Sequence, residues 1–254
     1  MSAVVEVRGL TIGWGDVTLV EDISFNVTAG EIFAILGGSG SGKSTLLRFL
    51  VGLEWPVKGE IQIAGVGAQG PSTGPPPFGV MFQEGALFRS MSLLENVELP
   101  LQVWTRLPRD DIRTIAAAKL ELVGLGDAGH KLPDELSGGM VKRGAIARAL
   151  ALDPGLAFLD EPSAGLDPQT SASFDDLILT LSRSAGLTVV MVTHELGSIF
   201  HVVDRCILLD RATRSVLATG DPRELRKSAD PRVREFFNPL YGGKERTWRP
   251  VRTT

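Results

Sequence analysis

Residues 31–45 read EIFAILGGSGSGKST, and the change of character inside this stretch decides the fold. EIFAIL is a short apolar run of the kind that forms a strand covered on both faces. It runs straight into a glycine loop, and the residues that follow, TLLRFLVGL, repeat their apolar positions at helical spacing. Strand, glycine loop and helix in succession are one half of a parallel α/β core. Gly37 to Ser44 fits G-x-x-x-x-G-K-[ST] in the context that pattern requires. Gly37, Gly38, Ser39, Gly40, Ser41 and Gly42 let backbone N–H groups curl around phosphate oxygens, and the helix start adds a favourable dipole. Lys43 can reach the β and γ phosphates, Ser44 can hold Mg²⁺, and Thr45 falls towards the α phosphate. By itself the loop specifies nucleotide binding and leaves kinases, GTPases and ATPases open.

Upstream, VVEVRGL and LVEDISFNV alternate apolar and polar residues, with Gly13, Gly15 and Asp16 between them, and predict an antiparallel pair. Downstream, GVGAQGPSTGPPP from Gly65 to Pro77 holds too much Gly, Pro and Ser to pack and reads as a loop before the strand FGVMFQ. Between Glu84 and Leu152 the patterns become helical: SLLENVELPL, PRDDIRTIAAAKLELVGL and SGGMVKRGAIARALAL. That predicts a helical lobe inserted into the core. Strands return as GLAFLDEP, LTVVMVTHE, RCILLDR and RSVLATG, with the helix PQTSASFDDLILTLSRSAG after the first. Their alternation predicts a mainly parallel sheet with right-handed crossovers. The predicted fold is therefore α/β, a P-loop NTPase core over residues 1–220 with an amino-terminal antiparallel portion and a helical lobe at about 84–152. A tail over 221–254 follows, with short helices in DPRELRKS and DPRVREFF.

Length and charge bound the function. At 254 residues the chain suits one compact core with a smaller lobe. The net charge of −4 gives no overall attraction to nucleic acid or to an anionic bilayer, although the tail from Asp221 holds nine Lys or Arg against five Asp or Glu. The lone cysteine, Cys206, lies in an apolar run and suits a reducing compartment. Glu6 and Arg8 stand too early for a signal peptide, and no apolar run approaches the roughly 18 residues of a membrane span. Contact with a membrane is therefore expected through a protein partner.

Asp160 and Glu161 end the apolar strand pattern Leu156–Leu159, where open α/β sheets place ligands. By reach, Asp160 would orient Mg²⁺ through water and Glu161 would polarise an attacking water as general base. His194 ends LTVVMVTH and should face the same crevice, where imidazole can hydrogen-bond the γ phosphate. Gln83, closing FGVMFQ, offers an amide that can ligate Mg²⁺ or hold the water. LSGGM, from Leu136 to Met140, precedes a helix; Ser137 is a good N-cap, and Gly138 and Gly139 leave N–H groups open as a second anion site. A second such site has work to do only if it meets another copy's nucleotide.

Over nearly its whole length the sequence resembles the ATPases of ABC transporters. It has the Walker A loop GGSGSGKST, the Q-loop Gln83, the signature LSGGM, the Walker B run LAFLDE, the D-loop SAGLD from Ser163 to Asp167, and the switch His194, in the family's order. The resemblance implies ATP and Mg²⁺ as cofactors and a head-to-tail homodimer. Two ATP would lie between Walker A of one copy and Ser137, Gly138 and Gly139 of the other, with Asp167 nearby and Trp14 of TIGWGD stacked on adenine. Met140 stands where most members carry Gln. The signature LSGGM, the segment FQEGALFRSMSLLENVELPL and DPRVREFF resemble, more narrowly, the ATPases of MCE-type lipid transporters. That likeness implies phospholipid as cargo, an integral-membrane permease, a periplasmic MCE-type lipid-binding subunit and a small cytoplasmic accessory subunit as partners. The chain would then lie on the cytoplasmic face of the inner membrane, with the tail as a dimer clasp. An importer or exporter ATPase for another solute is the nearest rival. A soluble ABC ATPase acting on nucleic acid is remote, for the chain has no second cassette, coiled coil, zinc-spaced cysteines or basic face.

Overall fold

The structure is a computed structural model that describes residues 3–15, 17–63, 66–67 and 74–238. Strands β1 (Ala3–Trp14) and β2 (Val17–Thr28) pair antiparallel as their alternation predicts, turning Val5, Val7, Leu10 and Ile12 inward beside Val20, Ile23, Phe25 and Val27. All six residues of β3 (Ile32–Gly37) are buried, and helix α1 (Lys43–Leu50) follows the glycine loop. Strand β4 (Lys58–Ile63) pairs with β1, setting Ile61 opposite Val7 and Ile63 opposite Val5. The sequence reading has no strand here, because only the second half of KGEIQI alternates. The two-residue strand β5 (Val66–Gly67) pairs with β4 and interrupts the predicted 65–77 loop, most of which lies outside the described residues.

After β6 (Gly79–Met81) the chain builds the helical lobe from α2 (Leu93–Trp104), α3 (Arg109–Leu122) and α4 (Gly138–Ala149). A capping box starts α2: Glu95 N–H donates to Ser92 Oγ at 3.3 Å, and Ser92 N–H donates to Glu95 Oε2 at 2.7 Å. The core resumes with β7 (Leu156–Asp160), α5 (Pro168–Ala185), β8 (Thr188–Val192), α6 (Leu196–Val202), β9 (Arg205–Asp210) and β10 (Ser215–Gly220).

The main sheet has the order β10-β9-β3-β8-β7-β6, parallel except for the antiparallel edge strand β10. Its consequence for the site is direct. Strand β8 lies between β3 and β7, with Val192 in register with both Ile35 and Asp160. The carboxyl ends of all three strands therefore open on one edge of the sheet, and the glycine loop, Asp160–Glu161 and the residues after Val192 share it.

The tail adds α7 (Pro222–Leu225) and α8 (Pro231–Phe237). The apolar stripe of α8 turns onto its own core: Val233 and Phe237 are buried, and Phe237 lies 6.0 Å from Phe200 between ring centroids. A seven-residue helix is marginal unless its stripe is covered, and here the same chain covers it. Leu240, Tyr241 and the basic residues beyond, where the clasp was also expected, lie outside the described residues.

Cys206 is wholly buried on β9, and burial pushes its thiol up to about 12. At pH 8 the thiolate is thus scarcer by on the order of a thousandfold than in an ordinary cysteine, and the ring of neighbours blocks access as well. Alkylation by iodoacetamide should be negligible in the native protein and rapid once denaturant is added, as intact mass will show.

Candidate functional site

The glycine loop is shaped by its termini. β3 delivers Gly37, and Gly42, the N-cap of α1, has φ +92°, a conformation that side chains with a Cβ resist. Ser41 is buried in the loop, and its Oγ has no hydrogen-bond partner among the described residues. Lys43 Nζ bends back over the loop and donates to the carbonyls of Gly37, at 2.9 Å, and Gly38, at 3.1 Å. Burial lowers the pKa of this ammonium, opposed by the carboxylates of Glu161 and Asp160. An orphaned hydroxyl and a desolvated cation over a ring of glycines fit an anionic phosphate chain.

Across the edge, Ser44 Oγ donates to Asp160 Oδ1 at 2.9 Å, joining residues 116 positions apart. Burial raises the Asp160 carboxyl above the usual range, with neighbouring Glu161 adding to the effect and the Ser44 hydrogen bond and Lys43 opposing it. A hydroxyl and a carboxylate are hard oxygen donors, and Mg²⁺ needs only one or two from the protein because it keeps several waters. The pair fits that ion. Gln83 lies two residues past the end of β6 instead of closing the strand. Its amide makes no hydrogen bond among the described residues, and it lines a cavity of about 260 Å³ with Gly138 and Lys142.

Glu161 is the sharpest feature of the edge. It leaves β7 with φ +47°, a left-handed conformation that costs a non-glycine residue on the order of 1–3 kcal/mol. Its side chain is nearly buried: Oε1 lies 2.8 Å from His194 Nδ1, while Oε2 has no partner among the described residues. The imidazole itself is 61% exposed. The sequence places Glu161 and His194 on one edge but says nothing of their pairing. A carboxylate oriented through one oxygen by the ring, with no protein partner on the other, keeps acceptor capacity for the proton of a water brought in with substrate.

The remaining predicted residues are held away from this cluster. Ser137 caps α4, its Oγ accepting from Met140 N–H at 3.3 Å, and both Ser137 and Gly138 are exposed. The two glycines differ in what they permit. A Cβ on Gly139 would approach Thr170 Cγ2 to 2.7 Å, whereas one on Gly138 would meet only Leu166, at 3.8 Å. Met140 packs against the core. Asp167 caps α5, accepting from the N–H groups of Gln169 and Thr170 at 3.1 Å, and the Thr170 hydroxyl that donates to it, with these N–H bonds, holds its carboxyl below the usual range. Trp14 ends β1 with half its surface open, its ring centroid 6.3 Å from that of Phe49. Asp16, read as a turn residue beside it, lies outside the described residues.

The reading of the sequence passes over Lys142. It is 7% exposed on α4, and Nζ donates to Glu161 O at 2.9 Å and to Ala164 O at 2.7 Å. A signal was present: Gly139, Lys142, Ile146 and Ala149 fall on one helical face, and a cation in such a face needs a buried partner.

A glycine loop feeding a helix, a serine bonded to a strand-end aspartate and a glutamate beyond it define a P-loop nucleotide hydrolase. The match is closer than that class, for residues 20–164 match the ABC transporter family, and the chain belongs to it as an ATP-binding, ATP-hydrolysing subunit. Over 244 residues, 94% of this chain, it is 41% identical to the "Probable ribonucleotide transport ATP-binding protein mkl" of Mycobacterium leprae, covering 70% of that protein. Over an equal span it is 38% identical to the "Intermembrane phospholipid transport system ATP-binding protein MlaF" of Escherichia coli K12, covering 90% of it. Among solved structures, the dimeric post-hydrolysis ATP-binding cassette MJ0796 bound to ADP and Pi aligns with a TM-score of 0.76 at 31% identity, over 85% of this chain and 98% of that one. CbiO1 of Clostridium perfringens, part of the ABC transporter complex cbiONQ, aligns at 0.81 and 28% identity, over 95% and 98%. Cassettes of this family dimerise and work with a membrane permease. No helix among the described residues is long and apolar enough to cross a membrane.

Proposed function

We propose that two copies of this chain close head to tail around two ATP and that hydrolysis drives phospholipid movement through an integral-membrane permease. The observation that carries the catalytic part is the Glu161 carboxylate, with one oxygen bonded to His194 and the other buried without a partner. In this reading Glu161 Oε2 accepts a proton from the attacking water, and His194 keeps the carboxylate in place. Lys43 and the loop N–H groups hold the phosphates, while Ser44 and Asp160, with Gln83 arriving from the lobe, hold Mg²⁺. When bound, that ion supplies charge neutralisation on the transferring phosphoryl group. Trp14 stacks on the base, and Ser137, Gly138 and Gly139 offer their helix start to the ATP of the other copy. Asp167, already committed to capping α5, acts by holding the D-loop.

The lipid assignment is supported by 38% identity over nearly full length to a protein named for intermembrane phospholipid transport. It brings with it a periplasmic MCE-type subunit, a small accessory subunit and a place on the cytoplasmic face of the inner membrane. A cleft of about 480 Å³ between core and lobe, lined by Phe78, Phe88, Val103, Trp104 and Leu152 among others, has the apolar character to seat a permease helix. Of two adjacent apolar residues, Phe88 is 52% exposed and lines this cleft, whereas Leu87 packs against the chain's own core.

Purification from membranes in mild detergent tests the assignment. A permease, an MCE-type subunit and bound phospholipid should accompany the ATPase, and recovery of a substrate-binding protein with a soluble solute would overturn the lipid reading. Phe88→Glu should abolish cofractionation with the membrane while leaving ATP binding and the unfolding temperature unchanged; full membrane association of that variant would remove the cleft from the argument.

A further inference from the structure

The backbone of the strained turn that carries Glu161 is gripped from outside by the Lys142 side chain. Glu161 N–H donates to Val192 O at the end of β8 at 2.8 Å, and within the turn Ala164 N–H donates to Glu161 O at 3.3 Å. Lys142 Nζ then grips both ends, reaching Glu161 O at 2.9 Å and Ala164 O at 2.7 Å. These are charge-assisted bonds in a place nearly closed to water, where such bonds are strongest. Removing the ammonium would strip two carbonyls of a donor and leave a left-handed glutamate, φ +47°, with less to hold it there. Lys142 stands on α4, four residues beyond Gly138 and so one turn from the helix start that Ser137 caps.

We infer that Lys142 is a positioning residue for the Glu161 of its own chain, aligning that carboxylate through the 161–164 turn. The inference rests on the head-to-tail reading above for one consequence. The helix that offers its start to the partner's ATP also holds the glutamate serving its own ATP, so each protomer ties the two composite sites together. Loss of Lys142 lowers turnover at the site containing the same chain's glutamate and spares the site to which that chain lends only Ser137–Gly139. A general role in the packing of α4 would harm both sites equally.

Heterodimers purified through two different tags on full-length chains separate these outcomes. Paired with Ser137→Arg, a Lys142→Met chain contributes only its helix start to the surviving site, and turnover should match that of the reference pair, Lys43→Ala with Ser137→Arg. Paired with Lys43→Ala, the same chain contributes Glu161 to the surviving site, and turnover should fall at least tenfold. Lys142→Arg, which keeps charged donors, should restore most of it. Equal loss in both pairings, or no loss in either, overturns the inference, and activity in the first pairing shows that the variant is folded. A silent reference pair would instead refute the head-to-tail arrangement. The inference is then decided on Lys142→Met homodimers, which must show a tenfold lower kcat at unchanged ATP affinity, with recovery in Lys142→Arg.

Discussion

Glu161→Gln should lower ATP turnover by about 10²- to 10⁴-fold, the usual contribution of a positioned general base, while ATP still binds. The amide is nearly isosteric, so it can remain beside His194, yet it has no oxygen basic enough to take a proton from water. Lys43, Ser44 and Asp160 are untouched, so the phosphates and Mg²⁺ keep their contacts. The variant should therefore accumulate as an ATP-bound dimer, visible by size exclusion with ATP present and dispersed by its removal. Turnover within a few-fold of the parent would withdraw the role from Glu161. Lys43→Ala should fail at the earlier step, because the lost charge faces the phosphates directly. Its ATP affinity should drop and no ATP-dependent dimer should form.

Ser137→Arg should abolish ATPase activity while the same chain still binds ATP. Ser137 is exposed, and among the described residues its side chain bonds only as the cap, accepting from Met140 N–H. Losing a cap costs about 1 kcal/mol, too little to unfold a domain of this size, so inactivity would not come from the fold. The harm arises across the dimer, where a bulky side chain obstructs closure on the other copy's phosphates. Mixed with Lys43→Ala, some heterodimers regain one complete site: the Walker loop of the first chain under the intact Ser137 of the second. Trapping of one ATP per heterodimer, with turnover from a mixture of two inactive parents, is the expected result. Absence of both would rule out the head-to-tail arrangement.

The local features of this protein were legible because they depend on neighbours in sequence. β3, the glycine loop and α1 are adjacent in the chain, and each step carries its own pattern: a covered strand, glycines where backbone must approach phosphate, then helical spacing. β1 and β2 were legible through the alternation in Val5–Arg8 and Asp22–Val27. β4 was not, since a strand that begins Lys58-Gly59-Glu60 shows half an alternation and owes its pairing to the edge that β1 presents. Phe88 and Leu87 are consecutive and equally apolar, and only the packing of the 83–92 segment sends one to an open cleft and the other to the core.

Sequence by itself determined the α/β class, the order of the motifs and the residue types able to bind phosphate, carry a hard cation and accept a proton. Each of these follows from side-chain chemistry or from patterns a few residues long. The tertiary structure decided which of those groups meet. Asp160 reaches Ser44, and Glu161 reaches His194, because β8 lies between β3 and β7 and brings three distant strand ends to one edge. The same packing sends Lys142 under the Glu161 turn and folds the stripe of α8 onto its own core. Contacts between residues 19 to 116 positions apart depend on strand order and helix packing, which no local pattern encodes.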